Sequence, residues 1–425
     1  MQKRFKLKLI AALVAAAPVG AAWASGFQLL EQNGSGIATA YAGSAAIADN
    51  ASTIFFNPAG MTKLQAREFS VGLDAVRPSF KFSNNGTIIT PATGTGTGDA
   101  GDWSYIPNGY LSWALNKDVY LGIGLSAPFG LKTDYDPTWV GRFQSISFDI
   151  KTYNINPSIA WKVNDKVSLG FGVNWQRMEA EYQRYAAVIN SATQNTKVVL
   201  DADDDSWGWN AGVLFDLSPA TRIGISYRSA IKHTLEGTLK FSGPAAQSNA
   251  LMTDVNAKGE IKLPDTLILS VVQKLDDRWT MLGDLSWTGW SSVNKVDIIR
   301  TSGVLNGSTA QTLDTDFRDT WRVAFGGIYQ YSADWDLRFG IAYDQTPVKN
   351  AQKRLTSLPD NDRLWLSFGG QRKFGKDAKL DLGAAYLYVK DTAIDNNQTL
   401  SGRGWVKGSY DSSVWILGAQ YSQAF

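Results

Sequence analysis

The chain has 425 residues, with 41 basic against 39 acidic, a single histidine and no cysteine. That balance leaves no basic field to hold nucleic acid, the missing cysteines remove disulfides and thiolate ligands, and one histidine excludes a multi-histidine metal site. Sixteen tryptophans are many for a soluble domain, and beyond the N-terminus no apolar run is long enough for a spanning helix.

In chain order, Lys3, Arg4, Lys6 and Lys8 precede an apolar run at 9–19, and Ala22-Trp23-Ala24 offers a small-residue cleavage site. Residues 1–24 therefore read as a secretory signal peptide. Residues 25–67 are rich in Gly and Ala and do not alternate as a strand does. They end in Asn57-Pro58-Ala59, which suits a turn closing a short helix. Small residues of this kind allow close backbone packing in a confined space, so the segment either hangs outside or folds back as a plug.

From residue 68 to 425 the pattern changes to strands. Six short breaks, at Asn116-Lys117-Asp118, Asn164-Asp165-Lys166, Ser218-Pro219-Ala220, Asp276-Asp277-Arg278, Ser332-Ala333-Asp334 and Gly375-Lys376-Asp377, read as tight hairpin turns. They alternate with long polar loops near 83–102, 127–145, 186–205, 242–258, 301–314, 347–359 and 392–409, which sets out fourteen strands. Within them apolar and polar residues alternate, as in Val167, Leu169, Phe171, Val173 and Trp175 against Ser168, Gly170, Gly172 and Asn174. One such strand would also fit a soluble sandwich. The rims argue otherwise: Trp113, Tyr120, Trp161, Phe215, Trp279, Tyr331, Trp335 and Phe374 stand beside the short turns, as at a membrane interface. An even strand count with short turns on one rim and long loops on the other predicts an all-β fold, a 14-stranded antiparallel transmembrane β-barrel in a Gram-negative outer membrane. The last strand carries Trp415, Leu417, Ala419, Tyr421 and Phe425 on one face.

Other motifs carry little chemistry. His233 has no nucleophile motif near it; Gly370 to Lys376 has phosphate-loop spacing, but Asp377 replaces the needed Ser or Thr and a strand follows. Asp201, Asp203, Asp204 and Asp205 lack the glycine and glutamate of a calcium loop and read as a solvated outer loop. No enzyme, metal or cofactor is expected.

Several segments, in order, resemble the FadL family of outer-membrane long-chain fatty acid transporters. They are Ser25-Gly26-Phe27-Gln28-Leu29, Ala46-Ile47-Ala48-Asp49-Asn50-Ala51, Asn57-Pro58-Ala59, Trp207-Gly208-Trp209-Asn210-Ala211-Gly212, Phe317-Arg318-Asp319 and Leu358-Pro359-Asp360-Asn361-Asp362-Arg363. The resemblance implies that residues 25–67 form a hatch inside the barrel, held partly by Asn57, Pro58 and Ala59. It implies a monomer, insertion by the barrel assembly machinery, and contact with outer-membrane lipid and lipopolysaccharide. It also implies passive transport: capture at outer loops, a site inside the barrel, hatch movement, and lateral exit at a kink in the third strand. That kink falls at Ala127, Pro128, Phe129 and Gly130, where a proline that cannot donate and a glycine give a local cause for a break. Arg184 and Arg318 match basic positions near the family's inner site, and Phe27 an aromatic that approaches it. Arg222, Arg228, Arg322, Arg338 and Arg363, on polar rows, are expected to make structural pairs instead.

The expected cargo is a long-chain fatty acid. A sixteen-carbon tail buried at about 0.8 kcal/mol per CH₂ is worth roughly 12 kcal/mol at most, against about 1.5 to 3 for a charged hydrogen bond to its carboxylate. Affinity then comes from apolar surface and orientation from a cation. Relatives that take aromatic hydrocarbons leave that cargo as the alternative, and a general porin or adhesin as a third reading.

Overall fold

The computed structural model describes residues 26–89, 94–186, 196–243, 246 and 249–425. The expected signal peptide, the tip of the loop at 187–195 and part of the loop at 242–258 lie outside these.

Fourteen strands close into one antiparallel barrel. They are β1 (Arg67–Asn84), β2 (Ser104–Ala114), β3 (Val119–Ser126 and Gly130–Asp134), β4 (Ser147–Lys162), β5 (Val167–Ala186), β6 (Thr196–Ser218) and β7 (Thr221–Arg228 and Ile231–Ser242). The second half comprises β8 (Val255–Leu263 and Thr266–Lys274), β9 (Trp279–Thr288 and Lys295–Arg300), β10 (Thr309–Asp314 and Thr320–Gln330), β11 (Trp335–Asp344), β12 (Arg363–Phe374), β13 (Ala378–Val389 and Thr392–Asn397) and β14 (Trp405–Ala424). β14 returns to β1 from Glu68↔Ala424 to Asn84↔Gly408, so the sheet closes on itself. Closure gives the backbone groups partners without water, the condition for a sheet to stand in hydrocarbon. All six short breaks are the hairpin turns at one rim.

The side chains are arranged inside out relative to a soluble sandwich. On β5, Leu169, Phe171 and Val173 are 42%, 47% and 38% exposed, whereas Ser168, Asn174 and Gln176 are buried. Apolar rows face lipid and polar rows the lumen. Trp113, Trp161, Trp279, Tyr331, Trp335 and Phe374 ring the short-turn rim, and Trp209, Trp321, Tyr343, Tyr388 and Trp415 are exposed nearer the other. Tyr120 is the exception: it turns inward and packs with Tyr110, Ile54 and Met61.

β5 and β6 rise well beyond the lipid-facing belt. There the outward row becomes charged, with Arg177 3.0 Å from Asp203 and 3.4 Å from Asp205. Residues 201–205 are thus strand and not loop, a correction with a simple cause: a strand outside the bilayer has no need of an apolar outer row. The loops at 135–146 and 345–362 are not simply polar either. Tyr135, Trp139 and Phe143 from one and Val348, Leu355 and Leu358 from the other are buried, and the Tyr135 hydroxyl donates to the Thr356 carbonyl at 2.6 Å. Both loops fold inward over the barrel mouth.

Residues 26–66 fill the lumen. Two short helices (Gly34–Ile37 and Thr53–Phe56) and a 3₁₀ turn (Pro58–Lys63) are tied to the wall on several sides. Arg338 of β11 meets Asp49 at 2.9 Å, Arg322 of β10 donates to the Ala40 carbonyl at 2.6 Å, and Ser44 donates to Asp284 of β9 at 2.9 Å. The wall makes room by omitting side chains: a Cβ at Gly212 would collide with Asn57, and one at Gly224 with the Ala45 carbonyl.

Candidate ligand-binding site

Strand β3 breaks where proline and glycine predict it. The β2–β3 ladder ends at Gly109↔Leu125. Above it, Ser104 to Asn108 pair only with β1, and Gly130 to Asp134 pair only with β4, which leaves an unladdered seam in the wall. Pro107 faces this seam from β2, a second non-donor that sequence reasoning passed over.

The lumen segment fills the vacancy in the ladder. Leu29 N–H donates to the Pro128 carbonyl at 2.8 Å, and Gly130 N–H donates to the Phe27 carbonyl at 2.9 Å. The Gln32 carboxamide completes a two-way pair with Ala127, donating to its carbonyl at 2.8 Å and accepting from its N–H at 3.1 Å. Phe27 also packs on Trp290 at 4.8 Å and Phe129 at 6.0 Å, and Trp290 on Phe317 at 5.8 Å. Phe27 and the kink residues are therefore brought together.

Farther out lies a narrow apolar pocket of about 50 Å³, lined by Ile150, Met178, Tyr182, Leu235, Ile298 and Leu313 among others. One contiguous apolar cluster joins Met178, Leu235 and Ile261 at this pocket to Phe27, Phe129 and Trp290 at the kink.

A cationic tier covers the pocket. Arg184, Arg300 and Gln311 each stand one inward step beyond the lining residues Tyr182, Ile298 and Leu313 on β5, β9 and β10. Arg184 Nε donates to Gln311 Oε1 at 2.9 Å across the barrel, and Arg403, from the β13–β14 loop, donates to the Ala310 carbonyl at 3.3 Å. Arg184 feels the charges of Arg403 and Arg300. Among the described residues no carboxylate lies within ion-pair distance of these three guanidiniums. Burial pushes the Arg403 guanidinium down from its ordinary value. Unpaired buried cations are costly, so the tier is suited to accept an anion.

Arg318 sits apart from this tier. It donates to the Thr346 carbonyl at 3.2 Å, lies 3.9 Å from Asp362, and its side chain is 46% exposed. Its neighbour Phe317 is what reaches the Trp290 cluster.

Asn57 combines both roles open in the sequence. Its side chain caps the 3₁₀ turn, accepting from Ala59 N–H at 3.1 Å with Pro58 at the first position, and donates to Ala45 at 2.7 Å and to Val213 of β6 at 3.1 Å. Of the lumen arginines, Arg222, Arg338 and Arg363 pair with carboxylates. Arg228 and Arg322 instead donate to plug carbonyls and lie over Phe55 and Trp365. His233 contacts Asp204 and Gln176, with no serine beside it.

A closed barrel with a lipid-facing apolar belt and a plugged lumen defines an outer-membrane transport protein. The chain belongs to the family described as outer membrane protein transport protein (OMPP1/FadL/TodX), whose model matches residues 14–425. Members are channels and not enzymes. The chain is 29% identical to the long-chain fatty acid transport protein of Escherichia coli K12 over 95% of both chains. It is 31% identical to outer membrane protein P1 of Haemophilus influenzae, covering 94% of this chain and 93% of that one. A Pseudomonas aeruginosa FadL homologue superposes with a TM-score of 0.86 at 24% identity, covering 94% of this chain and 99% of that one. The Pseudomonas putida toluene transporter TodX gives 0.72 at 17%, covering 95% and 100%.

Proposed function

We propose that this protein carries long-chain fatty acids passively across the outer membrane. The observation that supports this most directly is the apolar pocket lying immediately beneath Arg184, Arg300 and Arg403, with no carboxylate within ion-pair distance of the three among the described residues. The apolar lining parts to receive the tail and a carboxylate meets the tier, Arg184 foremost. Arg318, half-exposed beside Phe317 and below the tier, is the weaker headgroup contact. Asn57, Pro58 and Ala59 hold the plug to the wall.

From the pocket the cargo follows the apolar cluster to Phe27, displaces residues 27–32 from Ala127, Pro128, Phe129 and Gly130, and leaves sideways through the seam beside β3. Capture by the outer loops precedes these steps.

An uncharged aromatic hydrocarbon is the competing cargo, since a related structure is a toluene transporter. It has no use for the arginine tier. Binding of oleate, its methyl ester and toluene to the purified protein separates the two: oleate should bind tightest, and toluene at least as tight as oleate would transfer the proposal to hydrocarbons. Growth of a deletion strain on oleate or toluene is the cellular counterpart.

A further inference from the structure

The barrel wall has a second interruption, outside the transport route. The β8–β9 ladder runs from Lys274↔Thr280 to Thr266↔Thr288 and resumes only at Gly259↔Ile298, because β9 detours through the 3₁₀ turn Trp290–Ser292. Residues 260–265 make no ladder pair on that side, where only Gly289 N–H donates to the Asp265 carbonyl at 3.0 Å and the Ser292 hydroxyl to the Lys262 carbonyl at 2.9 Å among the described residues. An open cleft of about 550 Å³ occupies the outer surface there, with Ile261 and Val293 in its floor and Lys232, Lys258, Lys262 and Lys295 around it.

The charge around the cleft is lopsided. Lys232 pairs with Glu260 at 2.7 Å and Lys295 with Asp297 at 2.8 Å, while Lys258 and Lys262 have no carboxylate within ion-pair distance among the described residues. Four lysines thus face two carboxylates. Just below on the outward rows, Leu267, Leu269 and Val271 of β8 and Leu285 of β9 are exposed apolar residues that face lipid. The cleft therefore lies at the polar edge of the outer leaflet. A phosphate attached to acyl chains matches both parts: lysines are compact point-charge partners for phosphate, and the apolar rows take the chains.

We infer that this cleft binds the phosphate of a phosphorylated glycolipid of the outer leaflet, with Lys258 and Lys262 as its principal contacts. It rests on membrane placement alone and not on the identity of the cargo.

The full chain in detergent micelles, with bisphosphorylated lipid A as the probe and native mass spectrometry as the readout, tests this. Lys258→Gln with Lys262→Gln should weaken binding about 30-fold if each lysine contributes as basic residues usually do at an anionic membrane surface. Lys258→Arg with Lys262→Arg should retain it, and heat-dependent gel mobility verifies that every variant is folded. Unchanged binding in the glutamine variant would overturn the assignment. So would an equal loss on changing Lys132 and Lys407 to glutamine, which would mean unspecific attraction, or full competition by millimolar inorganic phosphate, which would mean a free-phosphate site.

Discussion

Replacing Arg184 with alanine is the sharpest probe of how the pocket recognises a headgroup. In the free protein the guanidinium gives one N–H to Gln311 and one to the Tyr185 carbonyl, and retains further donors for a carboxylate. A hydrogen bond to a charged partner contributes about 1.5 to 3 kcal/mol. Arg184→Ala should therefore weaken fatty acid binding by about 10- to 150-fold. The tail's larger share, which Met178, Leu235 and Ile298 supply, should stay intact. Titration calorimetry with oleate and with methyl oleate isolates the charge, because the ester keeps the tail and loses the anion. The acid should weaken and the ester should not. Equal losses for both would show that Arg184 packs the pocket and does not bind a headgroup, and no loss for either would place the headgroup elsewhere. Arg318→Ala, at its exposed position, should cost the acid only about two- to threefold, within the usual range for exposed pairs.

Three further outcomes are expected. Gln28 and Phe129 form a non-hydrogen-bonded antiparallel pair, whose Cα atoms usually lie about 4.5 Å apart, and the chain has no other cysteine; Gln28→Cys with Phe129→Cys should form a disulfide that stops oleate uptake until a reductant is added. Uptake that continues in the oxidised form would remove the plug's N-terminal end from the exit step. Gly224→Leu should drive the plug from the wall at Ala45, lowering the melting temperature and raising single-channel conductance in planar bilayers; wild-type values for both would contradict the close fit. Glu31, buried in the plug, has its carboxyl raised from an ordinary 4.5 to about 7 by burial, against the lowering fields of Arg363 and Arg322. With the folded value above the unfolded one, stability is full below about pH 4.5 and falls as the pH rises through about 7, by roughly 3 kcal/mol in all. Glu31→Gln should flatten that decline, and an unchanged difference between thermal melts at pH 5 and pH 8 would count against it.

What the sequence disclosed is what local chemistry decides. Asn116, Asn164 and Asp276 each accept backbone N–H groups within two or three residues, so the turns announce themselves, and the alternation of Leu169 with Ser168 and Gly170 follows from facing lipid on one side. Proline and glycine likewise betrayed the break in β3. The arginine tier was only partly visible. Arg184 was found by resemblance, whereas Arg300 and Arg403 meet it only because the barrel closes. The row Val296, Ile298, Arg300 did hold a clue, since it places a cation directly after two apolar lumen residues. The pair between Gln32 and Ala127 spans 95 residues and had no local sign. Asp201 to Asp205 misled for the opposite reason: a charged outer row looks like a loop to a reading tuned to lipid-facing strands.

The relative strengths of these contacts bear on how a closed barrel could release cargo sideways. The end of the plug is held to β3 by four hydrogen bonds, from Leu29, Gly130, Gln32 and Ala127, worth roughly 4 kcal/mol together at about 1 kcal/mol net each. The rest of the plug is fixed by the buried Arg338–Asp49 pair, by Asn57 on Val213 of β6 and Ile225 of β7, and by wall glycines that leave it no slack. A tail worth up to roughly 12 kcal/mol exceeds the four bonds to β3. A ligand shifts an equilibrium only by its differential affinity for the two states. The tail needs to favour the displaced state by only about a third of its burial energy to offset the four bonds to β3. On the proposed route, local release of that segment is therefore enough to open the seam, and expulsion of the whole plug is not required.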